Sequence, residues 1–329
     1  YSLVLCADAA AGGTREEILG AMGLEGRPAD WIDAQTGESL LRMVYQNEEG
    51  RLAWEHSIQV DPQVELLPAF RDTIGRLLQA DIRPLDDRGR EAVITPVPGN
   101  SVTASGEQHP GSVAAVIDAS LTFSDRWRIP FSESQTRSGL FRLADGSDVE
   151  VPFMIRTEQK GSWLAADGYT AAALDCVNGG SLVLVLPAEG TSPDSILSDA
   201  GRMRGILSGE GSLQGEVFYR VPRFDLAPDA AGVREMLRTL GVREAFTDQA
   251  DLSAMSEASP LWIQDMTQSV RVSADEYGCS ADVFTQTVMH AAGIPENRCE
   301  LVLDRPFLFL LLDPDRLPLA VGVVGNPAG

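Results

Sequence analysis

Side chains that could do catalytic chemistry are sparse in this sequence. Its 329 residues include three histidines, His56, His109 and His290, and none stands in a metal-binding spacing such as HExxH. No GxSxG sequence, which presents a nucleophilic serine in many hydrolases, is present. Gly209-Glu210-Gly211 lacks the further glycine and the lysine of a phosphate-binding loop, so it predicts a surface turn. These residues predict neither an enzyme nor a cofactor site.

The four cysteines suggest no other chemistry. Cys6, Cys176, Cys279 and Cys299 are scattered and form no CxxC pair, so neither a disulfide framework nor a zinc site is predicted. A catalytic cysteine would also need a histidine close in space, and nothing in the sequence indicates such a partner. We therefore expect no metal site in this chain.

The charge of the chain restricts its partners. It carries 48 acidic and 26 basic side chains, which give a formal net charge of −22. Binding to nucleic acid depends on Lys and Arg replacing the counterions of phosphates, so this acidity argues against a nucleic-acid partner. It also argues against an anionic lipid surface. The longest apolar stretch, Leu301–Leu312, is interrupted by charged residues and a proline and is too short to span a membrane.

Local patterns outline the elements that would position a site. Thr14 followed by Glu17 predicts a helix that begins with a capping box. The apolar run Ser181–Leu186 is typical of a strand buried on both faces. Asp145-Gly146 predicts the turn of a β-hairpin. Leu301–Leu312 and Leu319–Val324 are both strand-like, so the chain is predicted to be an α+β protein with sheet dominating its second half.

Several segments resemble, in order along the chain, the motifs of one protein family. Leu301–Leu311 and Gly322–Pro327 are similar to the C-terminal signature and the closing strand of the serpins, the serine protease inhibitors. Further matches precede them in the family's order: Trp127 with Phe131, Val151–Met154, Leu184–Pro187, Val221–Phe224, Ala245–Phe246 and Ala250–Ser253. The resemblance is poor between Gly26 and Ser112. It therefore rests mainly on residues 113–329.

The resemblance implies one serpin-like domain over residues 1–329, with three β-sheets, surrounding helices and an exposed reactive-centre loop at about 272–298. Residues 1–112 would form a divergent helical and strand part that is shortened at its N-terminus, and residues 113–329 the well-matched sheet part. The chain begins at Tyr1 rather than at a methionine, which is compatible with a removed leader and leaves the compartment open. We favour an extracellular or cell-surface location over the cytoplasm.

The resemblance also implies a mechanism. In inhibitory serpins a target protease attacks the loop and forms an acyl-enzyme, and the cut loop then enters the main sheet as a new strand. The hinge of this loop would comprise Glu276, Gly278, Cys279, Ala281, Val283 and Thr285. The family's inhibitory pattern has Thr or Ser where Cys279 stands and then a run of alanines, which Asp282 and Phe284 interrupt. These departures leave open a non-inhibitory serpin that acts as a binding protein, a carrier or a plain protease substrate.

Alternation along the hinge supports insertion on physical grounds. Side chains of a segment that enters a sheet point to opposite faces in turn. One face of this segment carries Cys279, Ala281, Val283 and Thr285, which are small or apolar. The charged Asp282 falls on the other face, where it avoids the cost of burying a charge in the core.

The loop length of the family places the cleaved bond at Ala292–Gly293, to within about two residues. No Lys or Arg lies at this bond, whereas a trypsin-like protease needs a basic residue for its specificity pocket. The predicted partner is a serine protease with a small apolar pocket, either elastase-like or subtilisin-like, and the inhibitor is predicted to be a monomer.

The sheet-opening region of the family maps to Asp118, Trp127 and Gln268. Serpins usually carry Asn and His where this chain has Asp118 and Gln268. A Gln268 amide can donate a hydrogen bond to an Asp118 carboxylate, so we hypothesise a substitute bond between these two side chains.

Overall fold

The computed structural model describes residues 2–60, 62–76, 81–84, 93–94, 102–103, 115–226, 231–257, 261–263, 267–268, 272–279 and 297–328. The chain forms two compact units. The first unit comprises Tyr1–Val44, Ala53–Thr122 and Pro228–Val270, and the second comprises Tyr45–Leu52, Phe123–Ala227 and Arg271–Gly329. The assignment of the whole chain to one domain stays a prediction.

Helices and strands alternate irregularly along the described residues, as expected for an α+β protein. The helices are α1 (Ser2–Ala9), α2 (Gly12–Ala21), α3 (Ala29–Met43), α4 (Pro68–Arg76), α5 (Pro193–Leu197), α6 (Ala200–Ser208) and α7 (Val233–Thr239). Short 3₁₀ helices span Glu133–Gln135 and Glu244–Phe246. None of the described helices combines the length and the hydropathy required to span a bilayer.

The strands are β1 (Tyr45–Gln46), β2 (Gly50–Val60), β3 (Asp81–Pro84), β4 (Val93–Ile94), β5 (Val102–Thr103), β6 (Ala115–Arg126), β7 (Arg137–Arg142), β8 (Asp148–Ala166), β9 (Tyr169–Asp175), β10 (Ser181–Pro187), β11 (Leu213–Pro222), β12 (Phe224–Leu226), β13 (Ala231–Gly232), β14 (Thr267–Gln268), β15 (Val272–Ala274), β16 (Gly278–Cys279), β17 (Arg298–Val302), β18 (Phe307–Leu312) and β19 (Pro318–Val324). The α+β class predicted from the sequence is confirmed.

The helices of the first unit enclose an apolar core. Side chains from α1, α2, α3, α4 and α7 pack together, and Leu5, Ile18 and Ile74 are fully buried there. Such burial stabilises helices that would be marginal on their own.

The predicted capping box of α2 is wrong. The helix begins at Gly12, so Thr14 already lies inside it. The Thr14 hydroxyl accepts a hydrogen bond from the backbone N–H of Asp251, 3.0 Å away. The Glu17 carboxylate accepts from the backbone N–H groups of Arg243 and Glu244, at 2.6 and 2.8 Å. Both side chains therefore bind a segment that is distant in sequence, because its free N–H groups lie within their reach.

An eight-stranded sheet forms the body of the second unit. Its strand order is β17-β11-β8-β9-β10-β18-β19, with β7 beside β8. The strand predicted at Ser181–Leu186 is confirmed as β10, which is almost entirely buried. Helices α5 and α6 cover one face, where Ile196 and Ile206 pack against β10 and β18. The predicted hairpin is also confirmed, since β7 and β8 pair antiparallel on either side of Gly146, whose φ is +88°.

The prediction of one strand-like segment over Leu301–Leu312 is wrong. This segment is divided into β17, which runs parallel to β11, and β18, which runs antiparallel to β10. Pro306 lies between the two strands and has no N–H to donate to a sheet, so one continuous strand is disfavoured there. The predicted strand at Leu319–Val324 is confirmed as β19.

A five-stranded sheet contains β6, the strand with which the start of the predicted loop pairs. Its order is β1-β2-β6-β16, and β3 lies parallel beside β2. Within the second unit, β1 pairs with β2 at Tyr45–Leu52, and β16 pairs with the end of β6. This pairing brings Gly278 and Cys279 to the edge of β6, so the first part of the exposed loop predicted at about 272–298 is instead paired in a sheet and buried.

Candidate functional site

The predicted hinge begins in a segment whose two ends pair with different strands. We call Val272–Cys279 the hinge segment. Its first part, β15, pairs antiparallel with β12. Its last part, β16, pairs antiparallel with β6, with Gly278 opposite Arg126 and Cys279 opposite Asp125. The hinge segment therefore already occupies the edge of β6, over two residues.

A tight turn at Asp275–Gly278 redirects the chain from β12 to β6. The Asp275 carboxylate accepts hydrogen bonds from the backbone N–H groups of Tyr277 and Gly278, at 2.8 and 3.1 Å. The backbone N–H of Asp275 donates to the Gly278 oxygen, 3.1 Å away. Asp side chains commonly stabilise turns in this way.

Gly278 is required by close packing of two backbones. A Cβ atom at this position would overlap the backbone oxygen of Asp125, which cannot move without breaking the strand. Glycine is the residue that permits such an approach. The glycine of the predicted hinge thus has a steric role in the β6–β16 pairing.

Glu276 anchors the hinge segment through a buried carboxylate. Only 1% of its surface is exposed. Nη2 of Arg223 lies 2.6 Å from both carboxylate oxygens, and the Thr136 hydroxyl donates to Oε1 at 2.6 Å. Burial acts to raise the pKa of Glu276, but the hydrogen bonds from Arg223 and Thr136 outweigh it and hold this pKa below its ordinary value. The carboxylate therefore stays charged and paired.

Trp127 holds the hinge segment by its backbone and its side chain. Its indole Nε1 donates to the Asp275 oxygen at 2.8 Å, and its backbone N–H donates to the Tyr277 oxygen at 2.8 Å. The indole is almost completely buried. Trp127, Glu276, Gly278 and Cys279, which the sequence assigned to the sheet-opening region and the hinge, thus lie together.

The thiol of Cys279 is unsuited to nucleophilic chemistry. The residue is 3% exposed, and burial, followed by the charges of Asp275 and Asp125, raises the pKa of its thiol to about 12. A thiolate is the reactive form of cysteine, and it is scarcely populated at neutral pH with such a pKa. Cys279 therefore packs as a small apolar residue of the hinge segment.

Of the other predicted site residues, the described part of the structure includes either nothing or the backbone alone. Ala281, Val283, Thr285, Ala292 and Gly293 lie outside the described residues. Asp118 belongs to β6, and Gln268 belongs to β14, where its backbone pairs with Ala231. The side chains of these two residues are not among those described, so their hydrogen bond stays a prediction.

Sequence reasoning missed Asp125, which is 1% exposed. Tyr45 Oη donates to its carboxylate at 2.8 Å, and Asn178 donates from its backbone N–H at 3.3 Å and from Nδ2 at 3.1 Å. Burial raises the pKa of Asp125 against the effect of these bonds. The buried Trp127 two residues further on was the available signal, because alternate side chains of an extended chain point to the same side.

An open concavity of about 500 Å³ lies beside Trp127 and Tyr277. Both arginines on its wall are already paired, Arg126 with Glu49 at 2.5 Å and Arg128 with Asp175 at 3.2 Å. The described lining of the concavity therefore offers no uncompensated cation to an anionic ligand. Within the described part of the chain, no group of three or more His, Cys, Asp or Glu residues could hold a metal ion.

The fold agrees with a comparison against protein families. The family described as "Serpin (serine protease inhibitor)" matches residues 1–327, nearly the whole sequence. The chain belongs to the serpin family, as the sequence motifs indicated.

Individual relatives have low sequence identity to this chain but match it over most of its length. Plasminogen activator inhibitor 1 of Neovison vison is 27% identical over 96% of this chain and 82% of the relative. Serpin-ZXA of Oryza sativa subsp. japonica is 26% identical over 99% of this chain and 87% of the relative. The chain thus matches serpins of an animal and a plant over most of their length.

Solved structures confirm the serpin fold. A thermophilic serpin, tengpin, in its native state has a TM-score of 0.85 at 22% identity, over 99% of this chain and 86% of that one. Thyroxine-binding globulin in complex with thyroxine has a TM-score of 0.83 at 20% identity, over 99% and 90%. At these identities the likeness concerns the fold alone.

Proposed function

We propose that this serpin inhibits serine proteases by presenting a loop that is cleaved and then inserted into the five-stranded sheet beside β6. One observation carries the proposal: Gly278 and Cys279 already pair with the end of β6. A strand that is started in this way can be extended by further residues of the loop. Relatives named as inhibitors, among them plasminogen activator inhibitor 1 of Neovison vison and of Sus scrofa, support the same class of function.

The residues that would follow Cys279 suit this insertion. Cys279 is buried opposite Asp125, so period-two alternation would bring Ala281 onto the same face, opposite Phe123. Val283 and Thr285 would follow on that face, and Asp282 would point to the other. A small inward face can be buried without displacing the side chains already present.

The target protease follows from the residues at the predicted cleaved bond. Ala292 and Gly293 are small and uncharged, and no Lys or Arg lies beside them. Such a bond fits the small apolar pocket of an elastase-like or subtilisin-like serine protease better than the acidic pocket of a trypsin-like one. We propose that the inhibitor acts as a monomer and meets its target outside the cell or at the cell surface.

A non-inhibitory role is the second candidate function. Asp282 and Phe284 interrupt the run of small residues that insertion favours, and this interruption favours a cut loop that stays outside the sheet. The fold is also that of thyroxine-binding globulin, which was solved in complex with thyroxine. On this alternative the chain binds a ligand or serves as a plain protease substrate.

A denaturing gel distinguishes the two candidates. The protein is incubated with an elastase-like and a subtilisin-like protease, and with a trypsin-like protease as the control. Inhibition predicts a covalent complex with one of the first two enzymes. Cleavage near Ala292–Gly293 without any complex would instead establish the substrate role.

A matched pair of variants then tests insertion itself. Ala281→Arg places a charge on the inward face, and Asp282→Arg places the same side chain on the outward face. We expect Ala281→Arg to convert the inhibitor into a substrate, because burying an unpaired guanidinium is costly, and Asp282→Arg to keep complex formation. Equal loss in both variants would contradict the proposed faces.

A further inference from the structure

Asp125 has an unusual environment that the proposed mechanism does not require. Its backbone pairs with Cys279 on one side of β6, and its carboxylate is bound by Tyr45 and Asn178. Asn178 is in turn held by Asn47, whose Nδ2 donates to the Asn178 side-chain oxygen at 2.6 Å. A chain of polar contacts thus leads from the hinge to β1 and to the turn before β10.

Among the described residues, the buried Asp125 carboxylate is held by hydrogen bonds and not by an ion pair. The hydrogen-bond donors that reach its carboxylate, in the described part of the chain, are all neutral. A carboxylate in such a place carries a desolvation cost that an apolar residue would avoid. The carboxylate accepts directional hydrogen bonds from Tyr45 and Asn178, which an apolar residue could not do.

The register of the hinge depends on where β6 ends. The β6–β16 pairing covers two residues, so it is too short to resist a slip of one residue by itself. Such a slip would exchange the two faces of the inserting strand. It would turn Asp282 and Phe284 inward in place of Ala281 and Val283.

We propose that Asp125 is a positioning residue for the hinge: its bonds to Tyr45 and Asn178 hold the end of β6 so that Cys279, and no neighbour, pairs opposite it. The consequence for insertion rests on the inhibitory function proposed above. The contact between Asp125 and the hinge segment does not depend on that function and can be tested without a protease.

Thiol labelling of the folded protein measures the hinge directly. Cys279 is buried and should react slowly with iodoacetamide in the unaltered protein. Asp125→Ala is expected to speed its labelling about tenfold or more, and Tyr45→Phe, which removes one hydrogen bond, about fivefold. Peptide mass spectrometry should show Cys6 and Cys299 labelled at unchanged rates.

Two further variants separate positioning from general stability. Asp313 lies in the same unit, is 3% exposed and accepts a hydrogen bond from the Leu317 backbone N–H at 2.7 Å. Asp313→Asn should leave the labelling of Cys279 unchanged. The exchange Asp125→Asn with Asn178→Asp restores a donor and an acceptor at this contact, and it should return labelling to within about threefold of the original rate.

Several outcomes would overturn the proposal. The first is that Cys279 is labelled no faster in Asp125→Ala and Tyr45→Phe than in the unaltered protein. The second is that all cysteines are labelled faster together, which would indicate general loosening. Failure of the exchanged pair to slow labelling below that of Asp125→Asn alone would equally count against a specific contact. If Asp125→Ala does not fold, Tyr45→Phe decides between these outcomes.

Protease assays then test the effect on insertion. Asp125→Ala should cut the fraction of cleaved molecules that end as covalent complex about fivefold or more, while the rate of loop cleavage stays the same. An unchanged fraction would contradict a role in insertion. If the unaltered protein forms no complex at all, the inhibitory function fails, and thiol labelling alone still decides whether Asp125 holds the hinge.

Discussion

The second unit contains two regions that are held in opposite ways. In the eight-stranded sheet, β10 and β18 pair over five residues and bury almost every side chain. The hinge segment makes two short pairings, one of them with the backbone of Asp125, and is fastened by the buried carboxylate of Glu276. The sheet relies on apolar burial, whereas the hinge segment relies on directional polar contacts.

This difference would suit the insertion that we propose, in which the loop that follows the hinge segment adds to β6. Apolar burial is roughly proportional to area and does not select a single geometry, so it stabilises a permanent core. Hydrogen bonds and ion pairs contribute little net free energy but demand a defined arrangement, and each can be exchanged for another. A region held mainly by such contacts can be released without unfolding the sheet beside it.

The largest expected effect lies in the sheet. Leu310 in β18 is fully buried, and Leu310→Ala should lower the free energy of unfolding by about 2–5 kcal/mol, because it leaves a cavity. Leu140 in β7 of the same sheet is 60% exposed, and Leu140→Ala should change that free energy by about 0.5 kcal/mol or less. Urea denaturation measures both. A loss below about 1 kcal/mol for Leu310→Ala would show that the sheet is not the rigid region.

A smaller loss is expected at the ion pair of the hinge segment. Arg223→Ala leaves the buried Glu276 carboxylate with Thr136, so the free energy of unfolding should fall by about 1–3 kcal/mol. Arg142 pairs with Asp148 on the surface at 3.3 Å, and Arg142→Ala should cost about 0.5 kcal/mol or less. Urea denaturation measures both losses. Equal losses in the two variants would show that the buried Glu276 ion pair stabilises the fold no more than a surface pair does.

Gly278→Ala should affect the hinge segment alone. The added Cβ would collide with the Asp125 oxygen, but a pairing of two residues can separate, which limits the loss to about 1–2 kcal/mol. Hydrogen exchange should quicken in Val272–Cys279 and stay unchanged in β10. Gly325 has open space around its Cβ position, so Gly325→Ala is the matched control. Faster exchange in β10 would mean that the two regions are coupled.

Acid should loosen the hinge segment before the sheet. The pKa of Glu276 lies below its ordinary value, so its contribution is present above pH of about 4.5 and is lost as the pH falls through the folded-state pKa. The pKa of Asp125 is raised, so its own contribution changes in the opposite direction and offsets part of the loss. The net change in the free energy of unfolding caused by acid is therefore expected to be smaller than the changes caused by the three substitutions above.

Two tryptophans report the acid transition separately. Trp127 contacts the hinge segment and Trp163 lies in β8, so variants that retain one or the other as the only tryptophan give a signal from each region. We expect the Trp127 fluorescence to change at a higher pH than that of Trp163, and Glu276→Gln to remove this early change. A single transition seen by both tryptophans would contradict independent release.

Sequence patterns that depend on neighbouring residues predicted local structure correctly. The Asp145-Gly146 hairpin and the strand β10 depend on neighbouring residues, through turn geometry and through the burial of both strand faces, and both are confirmed. Thr14 with Glu17 has the spacing of a capping box, yet both side chains bind residues from Arg243 to Asp251 instead. A local motif fails where a distant segment supplies better hydrogen-bond partners.

By itself the sequence determined the family, through the ordered motifs of its second half, and it supplied the alternation from which we predict that Asp282 avoids the inward face of the hinge. Only the tertiary structure decided which polar groups meet. Arg223 lies 53 residues from Glu276, and Tyr45 lies 80 residues from Asp125. Buried carboxylates need donors from wherever the chain brings them, and no local propensity records such a partner, because it acts only once the strands have packed.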